Sequence, residues 1–207
     1  SQMYSGIKDL NFKTDWEILP NPNHTIKLGA NYSYNTFMPA TTSNKVLQST
    51  TINSLSPDTI NPTYSSQLAF YLSDEIKLGE KLSVNLGLRV PVFLSSNANY
   101  SAIEPRATVK FSISSTSSIK ASYTEMNQFL HLVPSSTASL PTDIWISSSD
   151  IVKPELSKQI SLGWFKNFNN NSIETSIEAY YKTMSNQVLF KEGTQPLLSN
   201  SIDDQLT

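Results

Sequence analysis

The chain has 207 residues, with Lys and Arg 15 against Asp and Glu 17 for a net charge of -2, and no cysteine. That balance excludes a nucleic-acid binder working through bulk positive charge, and the missing thiols exclude disulfides, zinc-thiolate centres and cysteine catalysis. Charged residues make up only 15%, well under the usual quarter, and Ser, Thr and Asn fill the deficit.

No run approaches the roughly 20 apolar residues of a membrane helix. The opening Ser1-Gln2-Met3-Tyr4 has no basic stretch leading into an apolar one, so no signal peptide is expected in this chain. A transmembrane strand needs only about 10 residues, of which every second one is apolar, so a β-barrel remains open.

Apolar residues recur at every second position in segment after segment, the period of a strand with unlike faces. Between Asp9 and Ile18, the residues Leu10, Phe12, Trp16 and Ile18 oppose Asn11, Lys13, Asp15 and Glu17. Past Pro20-Asn21-Pro22-Asn23, a second strand sets Ile26, Leu28, Ala30, Tyr32 and Tyr34 against Lys27, Gly29, Asn31, Ser33 and Asn35. Tyr64 to Ile76 follows with Leu68, Phe70 and Leu72, then Leu82 to Leu94 with Leu82, Val84, Leu86, Leu88 and Val90 against Ser83, Asn85, Gly87 and Arg89. Shorter strands carry Ala107, Val109, Phe111 and Ile113, then Ile119, Ala121 and Tyr123. The last two carry Ile160, Leu162 and Trp164, then Ile173, Ile177, Ala179 and Tyr181. The expectation is an all-β, antiparallel up-and-down meander of about eight strands.

Four connections are tight and rich in Pro, Gly, Asn and Ser, at residues 19–23, 78–81, 114–117 and 167–171. They alternate with three longer ones at 37–63, 95–104 and 125–157. Soluble domains seldom carry such long structureless loops, whereas a membrane meander puts small turns on one side and large loops on the other. Trp16 and Trp164 fall near the turn ends, and Tyr34, Tyr64 and Tyr123 near the loop ends, where two interfacial girdles belong. Charges of both signs on the polar face suit a hydrated lumen. The candidates for it are Asn31, Arg89, Arg106, Lys110 and Glu178, while Asp74 is the one charge expected on the apolar face.

The run Tyr71-Leu72-Ser73-Asp74-Glu75-Ile76-Lys77-Leu78, followed by Lys81-Leu82-Ser83-Val84-Asn85-Leu86-Gly87-Leu88-Arg89, resembles a barrel hairpin of TonB-dependent outer-membrane receptors. Glu104-Pro105-Arg106, Ser118 to Tyr123 and Gln128-Phe129-Leu130 resemble the family's next hairpin and loop. The resemblance implies a barrel of about 22 strands closed by a plug domain. It also implies uptake of a large scarce nutrient, such as a metal chelate, cobalamin or an oligosaccharide, powered through the TonB complex. Outer-membrane lipid of a Gram-negative bacterium would surround it. With about eight strands and neither plug nor TonB-contacting segment, residues 1–207 are read as an internal piece of such a barrel. The alternative is a small complete eight-stranded barrel whose loops bind a partner.

The loop at 125–157 is the most ligand-like stretch, since Gln128, Phe129, His131, Asp143 and Trp145 offer stacking surfaces and hydrogen bonds to a small molecule or oligosaccharide. The two histidines, His24 and His131, lack a second imidazole at metal spacing, and no nucleophile elbow accompanies the many serines. No metal, cofactor or nucleic-acid site and no catalysis are expected.

Overall fold

Strands with unlike faces must sort those faces between two environments, and the computed structural model shows how. It describes residues 2–43, 62–133, 144–169 and 172–189, and among them there is no helix. The strands are β1 (Gln2–Asn21), β2 (His24–Ser43), β3 (Thr63–Leu78), β4 (Leu82–Ser95), β5 (Asn99–Ser101), β6 (Glu104–Ser114), β7 (Ser117–Gln128), β8 (Leu130–Val133), β9 (Ile144–Ser147), β10 (Glu155–Phe168) and β11 (Ile173–Ser185). Eight of them make one antiparallel sheet in the order β1-β2-β3-β4-β6-β7-β10-β11, with β5 added to β4; β8 and β9 pair separately. Among the described residues β1 and β11 do not pair, so the sheet has two free edges.

The long connections are more ordered than the expectation of structureless loops. The stretch read as a loop from residue 37 is strand as far as Ser43, β5 occupies part of 95–104, and β8 and β9 stand inside 125–157. These pieces are only three to seven residues long, too short for alternation to register as a period.

The tight connections follow from local chemistry. Asn21 pairs with His24 across a two-residue turn, and the Asn21 side chain accepts a hydrogen bond from the Asn23 amide at 2.9 Å, an Asx turn. Gly79 opens the β3–β4 turn at φ 73, a conformation that only glycine adopts without a Cβ penalty. Ser114 pairs with Ser117, and its hydroxyl accepts from the Thr116 amide at 3.3 Å.

Cross-strand partners share a face, so the register carries the apolar face across the whole sheet. One row runs Trp16, Leu28, Leu72, Leu88 and Pro105; another runs Val84, Val109, Ala121, Leu162 and Ala179. Leu86, Phe70 and Ile177 are 51%, 55% and 66% exposed on this face, which no soluble sheet could leave to water over such an area. From Leu82 to Leu94 the apolar side of β4 covers about 40 Å of strand, or about 30 Å of height at the usual barrel tilt, enough for the apolar band of an outer-membrane barrel.

Burial is concentrated on the opposite face, at the loop ends of the strands. Asn35, Phe37, Ser65, Ala69, Pro91, Phe93 and Glu104 are buried there. The molecule's packed core therefore lies on the polar face, under the β8–β9 hairpin.

Candidate functional site

The inner face divides into a covered half and an open half. Over the loop-end half, Phe129 leaves β7 and stacks on Phe93 with ring centroids 5.1 Å apart and planes 4° from parallel. The Ser148 amide donates to the Phe129 carbonyl at 2.8 Å, so the return from β9 is fastened to the residue that leaves β7. His131 is buried, its Nε2 3.1 Å from the Ser148 hydroxyl in a hydrogen bond. Burial holds this imidazole below its ordinary pKa of 6.5, against the opposing pull of Glu155. Val133 and Val152 are buried together, with Ile146 and Val188 against them. Tyr100 of β5 donates its hydroxyl hydrogen to the Ser149 carbonyl at 2.6 Å, tying the neighbouring loop to the hairpin.

The hairpin leaves the sheet between β7 and β10, yet β9 lies against β1 and β2 at the other end of the strand order. The sheet must curl for that contact, with the polar face inside the curve and the hairpin lying across its mouth.

Beneath the hairpin sits a buried ion pair. Arg89 donates to Glu104 at 2.7 Å, and the other Glu104 oxygen accepts from the Asn127 amide at 2.8 Å. Glu104 is fully buried, and both its oxygens are engaged, as a buried carboxylate requires. Lower down, Lys13 meets Asp15 at 3.0 Å and Lys27 meets Glu17 at 3.4 Å, all of them half-exposed. The Tyr71 ring lies across Gly29 and reaches towards the Thr14 carbonyl; a Cβ at Gly29 would collide with both.

The structure sets Asn31, Arg89, Arg106, Lys110 and Glu178 on this inner face, as their registers place them. Of the loop residues, Phe129 and His131 are not presented to a ligand, because both are buried as supports of the hairpin. Gln128 is exposed and donates to the Leu130 carbonyl at 2.7 Å, Trp145 is half-buried on β9, and Asp143 lies outside the described residues. Among the described residues no group of three His, Asp or Glu is arranged to hold a metal ion.

Two features of the outer face escape a reading of the strand period. Asp74 is paired: its Oδ2 lies 2.7 Å from His24 Nδ1, and the two stand on neighbouring strands near the turns. At the loop end, Glu125 binds Lys158 at 3.4 Å and accepts from the Tyr123 hydroxyl at 2.8 Å, marking the upper edge of the apolar belt. A charge on an apolar face with a complementary group on the next strand was the available signal, but cross-strand register is needed to read it.

The family described as TonB dependent receptor-like, beta-barrel matches residues 1–205. No curated protein matches. Among solved structures, the chain is similar to the FrpB iron transporter from Neisseria meningitidis, F3-3 variant, with 10% identity and a TM-score of 0.64 over 90% of this chain and 29% of that one. The siderophore receptor PirA from Acinetobacter baumannii gives 15% identity and a TM-score of 0.61 over 90% of this chain and 28% of that one. The ferripyoverdine receptor of Pseudomonas aeruginosa, bound to ferripyoverdine, gives 16% and 0.53 over 95% and 28%. The chain thus spans under a third of the length of these proteins.

Proposed function

Because the chain belongs to the TonB-dependent receptor β-barrel family of the Gram-negative outer membrane, we propose that it is one section of the wall of a receptor that takes up an iron chelate. The observation that carries this reading is the sheet itself: apolar along one face between charged pairs near its two ends, largely polar on the other, with both edges free among the described residues and a folded hairpin over the loop-end half of the polar side. Free edges need further strands, which favours a larger barrel over a complete eight-stranded one. Iron is favoured over cobalamin or an oligosaccharide because the similar structures include an iron transporter and siderophore receptors.

In this reading the outer face meets lipid, a plug domain of the parent occupies the lumen, and the TonB complex drives release. The wall performs no covalent chemistry. Among the described residues, Gln128 and Trp145 are the members of the loop set left to touch a chelate, one by its amide and one by its ring. The test is binding and uptake of an iron-loaded siderophore by the full-length receptor in cells. Replacing Gln128 and Trp145 together by Ala should weaken binding about tenfold, the loss of a typical interface contact or two, without changing insertion. Unaltered affinity would remove these residues from the site, and a full-length protein that takes up no iron chelate would overturn the cargo assignment.

A further inference from the structure

The turn end of the outer face carries a cation that uptake of a chelate at the loops leaves unexplained. Lys166 of β10 stands opposite Ser117 of β7 and Thr175 of β11, two residues beyond Trp164, whose own partners are the apolar Ile119 and Ile177. The outer-face charges described above are closed pairs, Asp74 with His24 and Lys158 with Glu125. Among the described residues Lys166 makes no ion pair; its ammonium donates to the Thr116 hydroxyl at 3.3 Å and lies 5.7 Å from the centroid of the Phe168 ring. Carboxylates stay away from it. Its register row holds Ser114, Ser117, Lys166 and Thr175. Glu174, the next residue of β11, pairs with Asn167 and so belongs to the inner face, and Glu80 stands in the β3–β4 turn, with β6 and β7 separating that turn from β10.

Donor capacity remains once the internal contacts are counted. The Trp164 indole N–H donates to Ser117 Oγ at 3.1 Å, which leaves the hydroxyl hydrogen of Ser117 to point outwards. Lys166 gives one of its three N–H groups to Thr116, and two are left. The order of side chains along β10 is that of a bilayer's edge. Ile160 and Leu162 are exposed and apolar, Trp164 follows with its polar tip, and Lys166 comes last, over about 20 Å of strand. A long cationic side chain rooted at the rim of an apolar belt extends its ammonium to the headgroups. There a phosphate takes charge-assisted hydrogen bonds from the ammonium and the hydroxyl together. A zwitterionic headgroup brings an ammonium of its own, so a lysine without a carboxylate favours a lipid of net negative charge.

We propose that Lys166, Ser117 and Thr116, with the rings of Trp164 and Phe168, form a site for the phosphate of an anionic phospholipid such as phosphatidylglycerol, in the leaflet at the turn end. The occupant is a lipid rather than a free phosphate because the site opens onto Leu162, Ile119 and Ile177, exposed apolar side chains that acyl chains cover. The inference rests on the barrel reading in that the outer face meets lipid, and failure of that reading would show separately, as an outer face that no lipid reaches.

The test uses the full-length receptor in liposomes with a fluorophore on Ile177→Cys, beside Trp164 across the strands, and brominated phosphatidylglycerol or brominated phosphatidylcholine as quencher. Quenching there should show about fivefold tighter occupancy by phosphatidylglycerol, the worth of one lysine at an anionic surface. A fluorophore on Leu68→Cys, on the same face of β3, should show no preference. Lys166→Gln should remove the preference at Ile177, and Lys166→Arg should keep it. Lys8→Gln, which removes an equal charge at the loop end of β1, should leave it unchanged. High salt should shrink the preference in the receptor that keeps Lys166, a second measurement should Lys166→Gln fail to insert. Equal quenching by the two lipids would overturn the proposal, as would a preference that survives in Lys166→Gln or vanishes in an inserted Lys166→Arg. So would its loss on adding glycerol phosphate at the lipid's concentration, which would assign the site to a free anion. Absence of quenching by either lipid at both labels would contradict the barrel reading, and the site with it.

Discussion

The two faces of β4 are built from alternate residues of one strand, yet they are held by different physics. Outward, Leu82, Val84, Leu86, Leu88 and Val90 form a smooth apolar stripe with no specific partners beyond their cross-strand neighbours. Inward, Arg89 and Phe93 each have a particular partner, Glu104 and Phe129, and Pro91 between them is fully buried. The outer face answers to its solvent, so any apolar residue serves. The inner face answers to geometry, so single atoms matter.

That contrast orders the expected effects of substitution. The largest belongs to the inner face: Glu104→Ala leaves the Arg89 guanidinium half-desolvated and the Asn127 amide unpaired. It should cost about 3–5 kcal/mol in denaturant unfolding of the full-length barrel in lipid vesicles. Glu104→Gln, which still accepts from Asn127, should cost less. Next comes the outer face, where Leu88→Arg, in the row of Leu28 and Leu72, should cost about 2–4 kcal/mol near the bilayer midplane while Asn85→Arg, on the inner face of the same strand, costs little. Equal penalties at the two positions would break the contrast. Gly29→Ala drives a Cβ into Tyr71 and the Thr14 carbonyl and should cost about 1–3 kcal/mol, the usual penalty of overpacking.

The smallest effect concerns the hairpin. His131 is held neutral by burial, its pKa lowered from 6.5. The undocked hairpin therefore binds a proton more readily than the docked one, and docking is favoured above the ordinary imidazole pKa and weakened as pH falls below it. Hydrogen-exchange protection factors at residues 130–133 and 144–149, which remove the intrinsic base-catalysed dependence on pH, should fall on acidification below pH 6.5. His131→Gln, which keeps a donor near Ser148 without a titrating ring, should flatten that dependence. Protection factors independent of pH in the wild type would contradict the assignment.

What could be read from the chain before its structure follows from the same contrast. The outer face repeats every second residue, so the strands, their order and the lipid-facing stripe are visible in Leu28, Leu68, Leu86, Val109, Leu162 and Ile177. The inner contacts join residues far apart in sequence, such as Phe93 with Phe129 and Arg89 with Glu104, and no local pattern encodes such partners. Phe129 and His131 looked like ligand groups because aromatic and imidazole side chains in a long loop often are. The hairpin that buries them is made of two four-residue strands, below the length at which periodicity speaks.

The central claim is that one strand faces lipid and lumen in strict alternation, and the absence of cysteine makes the chain ready for labelling. Single cysteines placed from Leu82 to Val90 in the full-length receptor, spin-labelled and reconstituted in liposomes, would be compared for access to oxygen and to a water-soluble nickel chelate. The account predicts oxygen access at Leu82, Val84, Leu86, Leu88 and Val90 and none of that preference at Ser83, Asn85, Gly87 and Arg89. A period other than two, or oxygen access shared equally by both sets, would contradict it.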